Sequence, residues 1–334
     1  MQLKANYLLT ILILLNLGCG LQKNKVSSFA GSGLMSYKNG TLLEANFANP
    51  MGITIDEDGN VYVADAHNNL IRKISTDGQV STLAGSRQEG KKDGPSSQAS
   101  FFYPTALVAA PNGIIYVADT RNNLIRKISK TGEVTTLRTN LLFDSPHGMA
   151  IDHDNNIYIT DWHDQIRKIS QDGSITLFAG SGEKGAFNAD RLSASFYLPQ
   201  GMVFDKNNNL FICDTYNNQI RKIDSAGMVT TYAGKKKKGE KNGSLEEAMF
   251  YHPTGIAIDT AGNLYIADTG NNLIRKINTR GNVSTLAGSG KRGFDNGSLQ
   301  QASFWSPIGL VIDQHNNLYI SDNENNCIRK IELQ

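Results

Sequence analysis

Short apolar runs separated by turn residues recur along the chain, and the first complete set lies between residues 50 and 85. Its runs GITID, NVYVAD, LIRKI and VSTLAG are rich in β-branched and aromatic residues, which favours strands over helix. The segments between them, at 58–60, 68–69 and 77–78, contain Asp, Asn and Gly, the residues that tight turns require. The pattern predicts a four-stranded antiparallel meander.

The same unit occurs six times, and each copy has an aspartate at the end of its second strand and an Ile-Arg-Lys-Ile run after it. Successive aspartates are 54, 42, 53, 54 and 54 residues apart. Four strands per unit at such a period are typical of a β-propeller, so six units predict six blades. The aspartates are Asp65, Asp119, Asp161, Asp214, Asp268 and Asp322, and the arginines are Arg72, Arg126, Arg167, Arg221, Arg275 and Arg329.

The two ends of the chain complement each other. The sixth copy stops at Gln334 without a fourth strand, whereas VSSFAG at 26–31 matches the fourth strand VSTLAG at 80–85. We therefore expect the N-terminal strand to complete the last blade and to protect the edges of the sheets. The predicted fold class is all-β, a single six-bladed β-propeller over residues 26–334 with four antiparallel strands per blade.

The repeated motif P-x-G-I-x-x-D-x-x-G-N-[LIV]-Y-[IV]-A-D-x-x-N-N-x-I-R-K-I resembles the NHL repeat, and residues 253–277 match it almost throughout. Blade 2 departs locally, with Ala106 in place of the usual Gly. The resemblance implies a six-bladed propeller that serves as an interaction platform. Some similar propellers are metal-dependent lactonases or lyases, and some animal NHL proteins bind RNA.

The first nineteen residues resemble a bacterial lipoprotein signal, in which Lys4 precedes an apolar run at 7–15 and the segment ends at Leu17-Gly18-Cys19-Gly20. The run is too short for a spanning helix. Asn16 stands where a Leu is usual. We predict lipidation at Cys19, a short tether at 20–25, and anchoring at the bacterial cell envelope, on its periplasmic or outer-membrane face, or secretion if no lipid is added.

The charge balance argues against nucleic-acid binding, and the cysteine positions argue against a fold held by disulfides. The 33 basic and 31 acidic side chains give a net charge of +2, without the basic excess of a nucleic-acid-binding protein. The one basic run, at 235–238, is interpreted as a solvated loop. Cys213 and Cys327 occupy non-equivalent repeat positions, which does not support a disulfide framework.

Repetition separates scaffold from site, because a residue present in every blade performs a task that folding needs six times. The repeated Asp and Arg residues are therefore interpreted as structural, paired through the planar guanidinium group. A catalytic ring is disfavoured, since acid–base chemistry needs pKa values pushed apart by different surroundings. The repeated Asn pairs are interpreted as turn chemistry.

Blade 3 breaks the pattern twice. Its incoming connector spans 9 residues between Leu137 and Pro146, against 21 in the other blades, and its turn between strands two and three is one residue shorter. Both loops are expected on one face, where two shortenings predict a notch that can bind a ligand. Alternatively, the blade is degenerate and Trp162 plugs the gap. The candidate ligand-binding residues are His147, Trp162, His163, Asp164 and Gln200.

The residue between Pro and Gly at the start of each blade is expected to point into the central channel. These six positions contain one imidazole and no carboxylate, whereas a catalytic metal usually needs three protein ligands. We therefore predict no metal and no cofactor, and a monomeric, non-catalytic propeller that binds a protein, peptide or glycan. The alternative is a metal-dependent hydrolase or lyase of the lactonase type. The six residues are Met51, Thr105, His147, Gln200, Thr254 and Ile308.

Overall fold

The computed structural model describes residues 24–137 and 143–333. The chain forms six antiparallel sheets, each with four or five strands, which confirms the predicted six-bladed, all-β propeller. Strand one of each blade lines the central channel and strand four lies on the outside. The predicted signal segment and Cys19 lie outside the described residues.

Each blade is a meander whose strands follow the apolar runs of the repeat. Blade 1 contains Pro50–Ile55, Val61–Asp65, Leu70–Ile74 and Gln79–Ala84. Blade 2 contains Pro104–Ala109, Ile115–Asp119, Leu124–Ile128 and Glu133–Thr136. Blade 3 contains Gly148–Ile151, Ile157–Thr160, Ile166–Ile169 and Ile175–Ala179.

The second half of the ring repeats this arrangement. Blade 4 contains Pro199–Phe204, Leu210–Asp214, Gln219–Ile223 and Val229–Ala233. Blade 5 contains Pro253–Ile258, Leu264–Asp268, Leu273–Ile277 and Asn282–Ala287. Blade 6 contains Pro307–Ile312, Asn317–Asp322, Cys327–Glu332 and, from the other end of the chain, Lys25–Ala30.

The ring closes as the sequence predicts, through the N-terminal strand. Lys25–Ala30 pairs antiparallel with Cys327–Glu332, and Val26 lies opposite Ile331. Strand four of blade 6 therefore comes from the start of the chain, and both ends are held in one sheet. This pairing covers the edge of Cys327–Glu332 that blade 6 would otherwise leave open.

The turn between strands two and three is a short 3₁₀ helix in five blades, followed by an Asn in the left-handed region, which Asn tolerates well. Blade 3 instead turns through Asp164, whose φ is 57°. Within residues 24–137 and 143–333, no helix has the length and apolar composition needed to cross a bilayer. The 3₁₀ helices are Ala66–Asn68, Thr120–Asn122, Thr215–Asn217, Thr269–Asn271 and Asn323–Asn325.

The long connectors are ordered and packed, as their equal lengths indicate. In four blades the connector adds a two-residue strand outside strand four, and in blade 4 a single bridge joins Asp190 to Met228. Each long connector contains an Ala two residues before a Phe. Both side chains are fully buried, as Ala45 and Phe47 illustrate. The added strands are Gly40–Thr41, Gly94–Pro95, Gly243–Ser244 and Gly297–Ser298.

Candidate functional site

Two kinds of loop share one end of the propeller, which we call the connector face. They are the connectors into strand one and the turns between strands two and three. The His67 N–H donates to the Ala48 carbonyl at 3.1 Å, and the Tyr216 N–H donates to the Tyr197 carbonyl at 3.1 Å. These bonds confirm that the two loops lie on the same face. The opposite end, the turn face, holds the other turns.

In five blades the repeated Asp and Arg form a fully buried pair beneath the connector. In blade 5, Arg275 Nη1 donates to Asp268 Oδ2 at 2.7 Å and to the Met249 carbonyl at 3.0 Å. Arg275 Nη2 donates to the Lys241 carbonyl at 3.1 Å and to Asn242 Oδ1 at 2.7 Å. The guanidinium group thus ties strand three to the connector over its blade.

The same pairing recurs in blades 1, 2, 4 and 6. Burial raises the pKa of Asp214 and of Asp268 to about 6, while the paired arginines and the N–H donors act in the opposite direction. These carboxylates are inside the protein and have no route to a ligand on the surface. The other pairs are Arg72–Asp65, Arg126–Asp119, Arg221–Asp214 and Arg329–Asp322, each at 2.7–2.8 Å.

Blade 3 forms this pair differently. Arg167 reaches Asp161 through Nε at 2.8 Å, and its side chain is 11% exposed, whereas the other five arginine side chains are fully buried. His163 Nδ1 lies 3.7 Å from the same Asp161 oxygen, and the His163 ring is about half exposed. The Asp–Arg pair, which is fully buried in the other five blades, therefore lies beside an exposed imidazole in blade 3.

Asp164, predicted as a ligand-binding residue, forms a hydrogen bond between two blades. In every blade the residue after the turn accepts a hydrogen bond from the next connector, as Asn218 does from the His252 N–H at 2.9 Å. In blade 3 this acceptor is Asp164, which binds the Leu198 N–H at 2.5 Å and is buried. Burial raises the pKa of Asp164. Its contacts join blade 3 to blade 4.

His147 also bridges two blades. In blades 2, 4 and 5, a threonine hydroxyl after the repeated Asp donates to the next blade's proline carbonyl, as Thr215 does to Pro253 at 2.8 Å. Blade 3 has Trp162 there, and His147 Nε2 lies 2.9 Å from the Pro199 carbonyl. Its Nδ1 lies 2.7 Å from the Ser145 carbonyl, and a neutral imidazole can donate to one carbonyl at a time. Burial lowers the pKa of His147.

Trp162 and His163 are the predicted residues that face solvent. Trp162 is 56% exposed, and its ring stands nearly perpendicular to the His147 ring with 6.5 Å between centroids. More than half of Trp162 therefore remains accessible to solvent. An exposed indole beside an exposed imidazole can pack against an apolar surface and donate hydrogen bonds at its edges.

Gln200 lies apart from this pair, at the mouth of the central channel. A cavity of about 100 Å³ is lined there by Thr105, His147, Gln200, Thr254 and Ile308, so five of the six predicted residues reach the channel. Among the described residues, the Gln200 side chain has no hydrogen-bond partner. His147 connects the two parts of the predicted site because it lies in the cavity and also beside Trp162.

Sequence reasoning missed the two residues that precede each blade's proline. The second of them has a φ between 46° and 53° in every blade, a region that costs energy for residues other than Gly. In four blades the pair contains an aromatic side chain on the connector face. A search for aromatics before the repeated proline would have found Phe102, Tyr103, Tyr197, Tyr251, His252 and Trp305.

The described residues contain no group of three or more His, Cys, Asp or Glu side chains placed to hold a metal ion. Cys213 and Cys327 are buried and free, and burial raises the pKa of both thiols. The aromatic and imidazole groups of the connector face are candidates for contact with a ligand.

Comparison with known families supports the repeat assignment. Residues 37–95 and 234–294 match the Teneurin NHL domain, and residues 196–223 and 304–331 match the NHL repeat. The chain is 30% identical over 283 residues to Protein SUPPRESSOR OF QUENCHING 1, chloroplastic, of Arabidopsis thaliana, covering 75% of this chain and 27% of that protein. It is 28% identical over 338 residues to NHL repeat-containing protein 2 of Gallus gallus, covering 85% and 46%. The chain thus spans less than half of these two relatives.

Solved structures of bacterial proteins share the fold. An auxiliary nutrient binding protein from Bacteroides thetaiotaomicron has a TM-score of 0.73 at 18% identity, covering 92% of this chain and 76% of that one. Virginiamycin B lyase from Staphylococcus aureus has a TM-score of 0.61 at 17% identity, covering 93% and 100%. At these identities the likeness shows the fold alone. Together with the repeat matches, the six sheets and their closure, it establishes that this chain is an NHL-repeat protein folded as a six-bladed β-propeller.

Proposed function

We propose that this propeller is a non-catalytic binding protein that holds a protein, peptide or glycan partner against its connector face, with Trp162 and His163 of blade 3 in the contact. One observation carries the proposal. Both tryptophans of the chain, Trp162 and Trp305, lie on this face with 56% and 39% of their surface exposed. Large aromatic side chains that the scaffold leaves exposed are the residues that dominate binding energy in interfaces.

The chemistry of blade 3 supports a contact at that point. Trp162 offers a broad apolar surface with one N–H donor, and His163 adds a titratable ring beside the Asp161–Arg167 pair. Both side chains are exposed, so a partner can cover them without displacing other protein groups. A propeller of similar fold is described as an auxiliary nutrient binding protein, which agrees with a binding role.

Replacing Trp162 and His163 together by alanine is expected to weaken partner binding about tenfold or more, because an exposed aromatic anchor is lost. Thermal stability is expected to change little, since substitutions of exposed residues usually fall within about 0.5 kcal/mol. The measurement is quantitative capture of partners from the native envelope fraction by the full chain and by the double variant.

A matched control is Leu177→Ala, which removes an exposed apolar side chain from the outer strand of the same blade. Leu177→Ala is expected to bind as the wild type does. Unchanged capture by the Trp162/His163 double variant would contradict the proposed contact. Stoichiometric zinc or calcium in the purified full chain would contradict the non-catalytic assignment and favour the hydrolase or lyase alternative.

The proposed location is the bacterial cell envelope, through a lipid on Cys19, and it rests on the sequence segment before residue 20. Cys19→Ser is expected to move the protein from the membrane fraction to the soluble fraction, because a short apolar segment without acyl chains anchors weakly. The measurement is detergent-phase partitioning of the protein made in a bacterial host. Cys213→Ser is the control, and a wild-type protein found in the soluble fraction would refute the anchor.

A further inference from the structure

A row of four aromatic side chains crosses the junction between blades 4 and 5 on the connector face. The ring centroids of Tyr197 and Tyr216 are 5.0 Å apart, and those of Tyr216 and His252 are 4.8 Å apart with an interplanar angle of 29°. His252 and Tyr251 follow at 4.5 Å. We call these four residues the aromatic row. Among the described residues, no ring of the row forms an aromatic pair with Trp162 or His163.

A lysine stands at each end of the aromatic row. Lys184 Nζ lies 5.2 Å from the centroid of the Tyr197 ring, and Lys238 Nζ lies 5.1 Å from that of Tyr251. Lys238 ends the exposed basic run at 235–238. Within the described parts of the chain, none of these five lysines forms an ion pair with a carboxylate. The row is therefore flanked by cationic groups that are available to an anionic ligand.

The phenol groups of the row are equally available. Tyr62, Tyr158, Tyr265 and Tyr319, near the turn face, each donate their hydroxyl to an aspartate. By contrast, the hydroxyls of Tyr197, Tyr216 and Tyr251 have no protein partner among residues 24–137 and 143–333. Tyr216, at the centre of the row, is 45% exposed, so a ligand can reach it.

From this geometry we infer that the aromatic row and its flanking lysines bind an acidic polysaccharide, a chain of sugar units that carry carboxylates. The phenol hydroxyls and the imidazole of His252 hydrogen-bond the sugar hydroxyls, which line both edges of every sugar unit. The lysines pair with the carboxylates at either end. The inference rests on the proposed function only in its use of the same face.

Two other polyanions fit less well. Single-stranded nucleic acid binds by stacking its bases on exposed ring faces, whereas here Tyr216 and His252 stack on each other. An extended acidic peptide gains much of its affinity by adding a strand to an open sheet edge. The loops around the row instead use their backbone groups within the protein, as the bond from the Gly239 N–H to the Phe250 carbonyl at 3.0 Å illustrates.

The test is calorimetric titration of the full chain, purified in detergent, with polygalacturonate. The wild type is expected to bind, and more weakly as salt rises, because the charges are exposed. Tyr216→Ala is expected to weaken binding about tenfold or more, through loss of the central ring. Tyr216→Phe, which keeps the ring and loses only the hydroxyl, is expected to weaken it about two- to fivefold.

The matched charge control is Lys276, whose Nζ lies 5.4 Å from the Tyr265 ring centroid, away from the row. Lys238→Gln is expected to weaken polygalacturonate binding about two- to fivefold, and Lys276→Gln to leave it unchanged. Methyl-esterified polygalacturonate, which lacks the charges, is expected to bind more weakly than the acid form. Equal binding of both forms would overturn the inference.

Further outcomes separate this inference from the proposed function. No binding of polygalacturonate, equal or tighter binding of polyglutamate or oligothymidylate, or full binding by Tyr216→Ala would each overturn it. The Trp162/His163 double variant is expected to bind polygalacturonate as the wild type does. Loss of polygalacturonate binding in that double variant would also overturn it. The proposed function is judged separately, by the effect of the double variant on capture of the native partner.

Discussion

Replacing Arg275 by methionine is expected to lower the free energy of unfolding by about 3–5 kcal/mol, the usual cost of removing one partner from a buried ion pair. The Asp268 carboxylate would lose its cation while it remains fully buried. The Met249 and Lys241 carbonyls would also lose the donors that hold the connector over blade 5. Methionine fills much of the vacated volume, so the loss reports mainly on charge and hydrogen bonds. Equilibrium urea unfolding measures it.

Arg167→Met in blade 3 is the matched control. Arg167 makes one ion pair, through Nε to Asp161, and its side chain is partly exposed. Loss of a hydrogen bond to a charged group costs about 1.5–3 kcal/mol, so we expect a smaller destabilisation than for Arg275→Met. Equal losses for the two variants would show that the connector carbonyls contribute little and that the cost comes from leaving a buried aspartate without its cation.

Residues 50–85 made the fold predictable, because six copies of one pattern specify six similar sheets. The offset between the VSSFAG segment and the sixth copy likewise predicted ring closure, which the pairing of Val26 with Ile331 confirms. These features are local or repeated, so a single sequence records them. The equal connector lengths belong to the same class, and in the structure these connectors pack through side chains such as Ala45 and Phe47.

The candidate site was less predictable, because its members depend on contacts between blades. Asp164 differs from the Asn at equivalent positions, yet it bonds the next blade as those residues do. His147 contacts the proline carbonyl that a threonine after the repeated Asp contacts in blades 2, 4 and 5. A change of residue type therefore did not mean freedom to bind a ligand. The aromatic row could not be predicted from the sequence, for a related reason. Tyr216 and His252 are 36 positions apart in sequence and meet only when blade 5 packs on blade 4.

In five blades a glycine lies two residues after the proline, at a point where neighbouring first strands approach each other closely. A Cβ built on Gly255 would lie 2.0 Å from the Ile308 carbonyl oxygen, a backbone atom of the next blade. On Gly52 the corresponding distance, to the Thr105 carbonyl oxygen, is 2.7 Å. Since the obstructing atoms are backbone, the blades themselves would have to separate.

Gly255→Ala is therefore expected to lower the free energy of unfolding by about 3 kcal/mol, at the upper end of the usual cost of overpacking. Gly52→Ala is expected to lower the free energy of unfolding by less, because its Cβ would lie farther from the next blade's carbonyl oxygen. Ala106 already occupies this position in blade 2, so Ala106→Gly is the control, with an expected loss of about 1 kcal/mol or less. Urea midpoints of the three variants give the ranking. A Gly255→Ala protein as stable as the wild type would mean that blades 5 and 6 can move apart at little cost, and that the channel is not rigidly set.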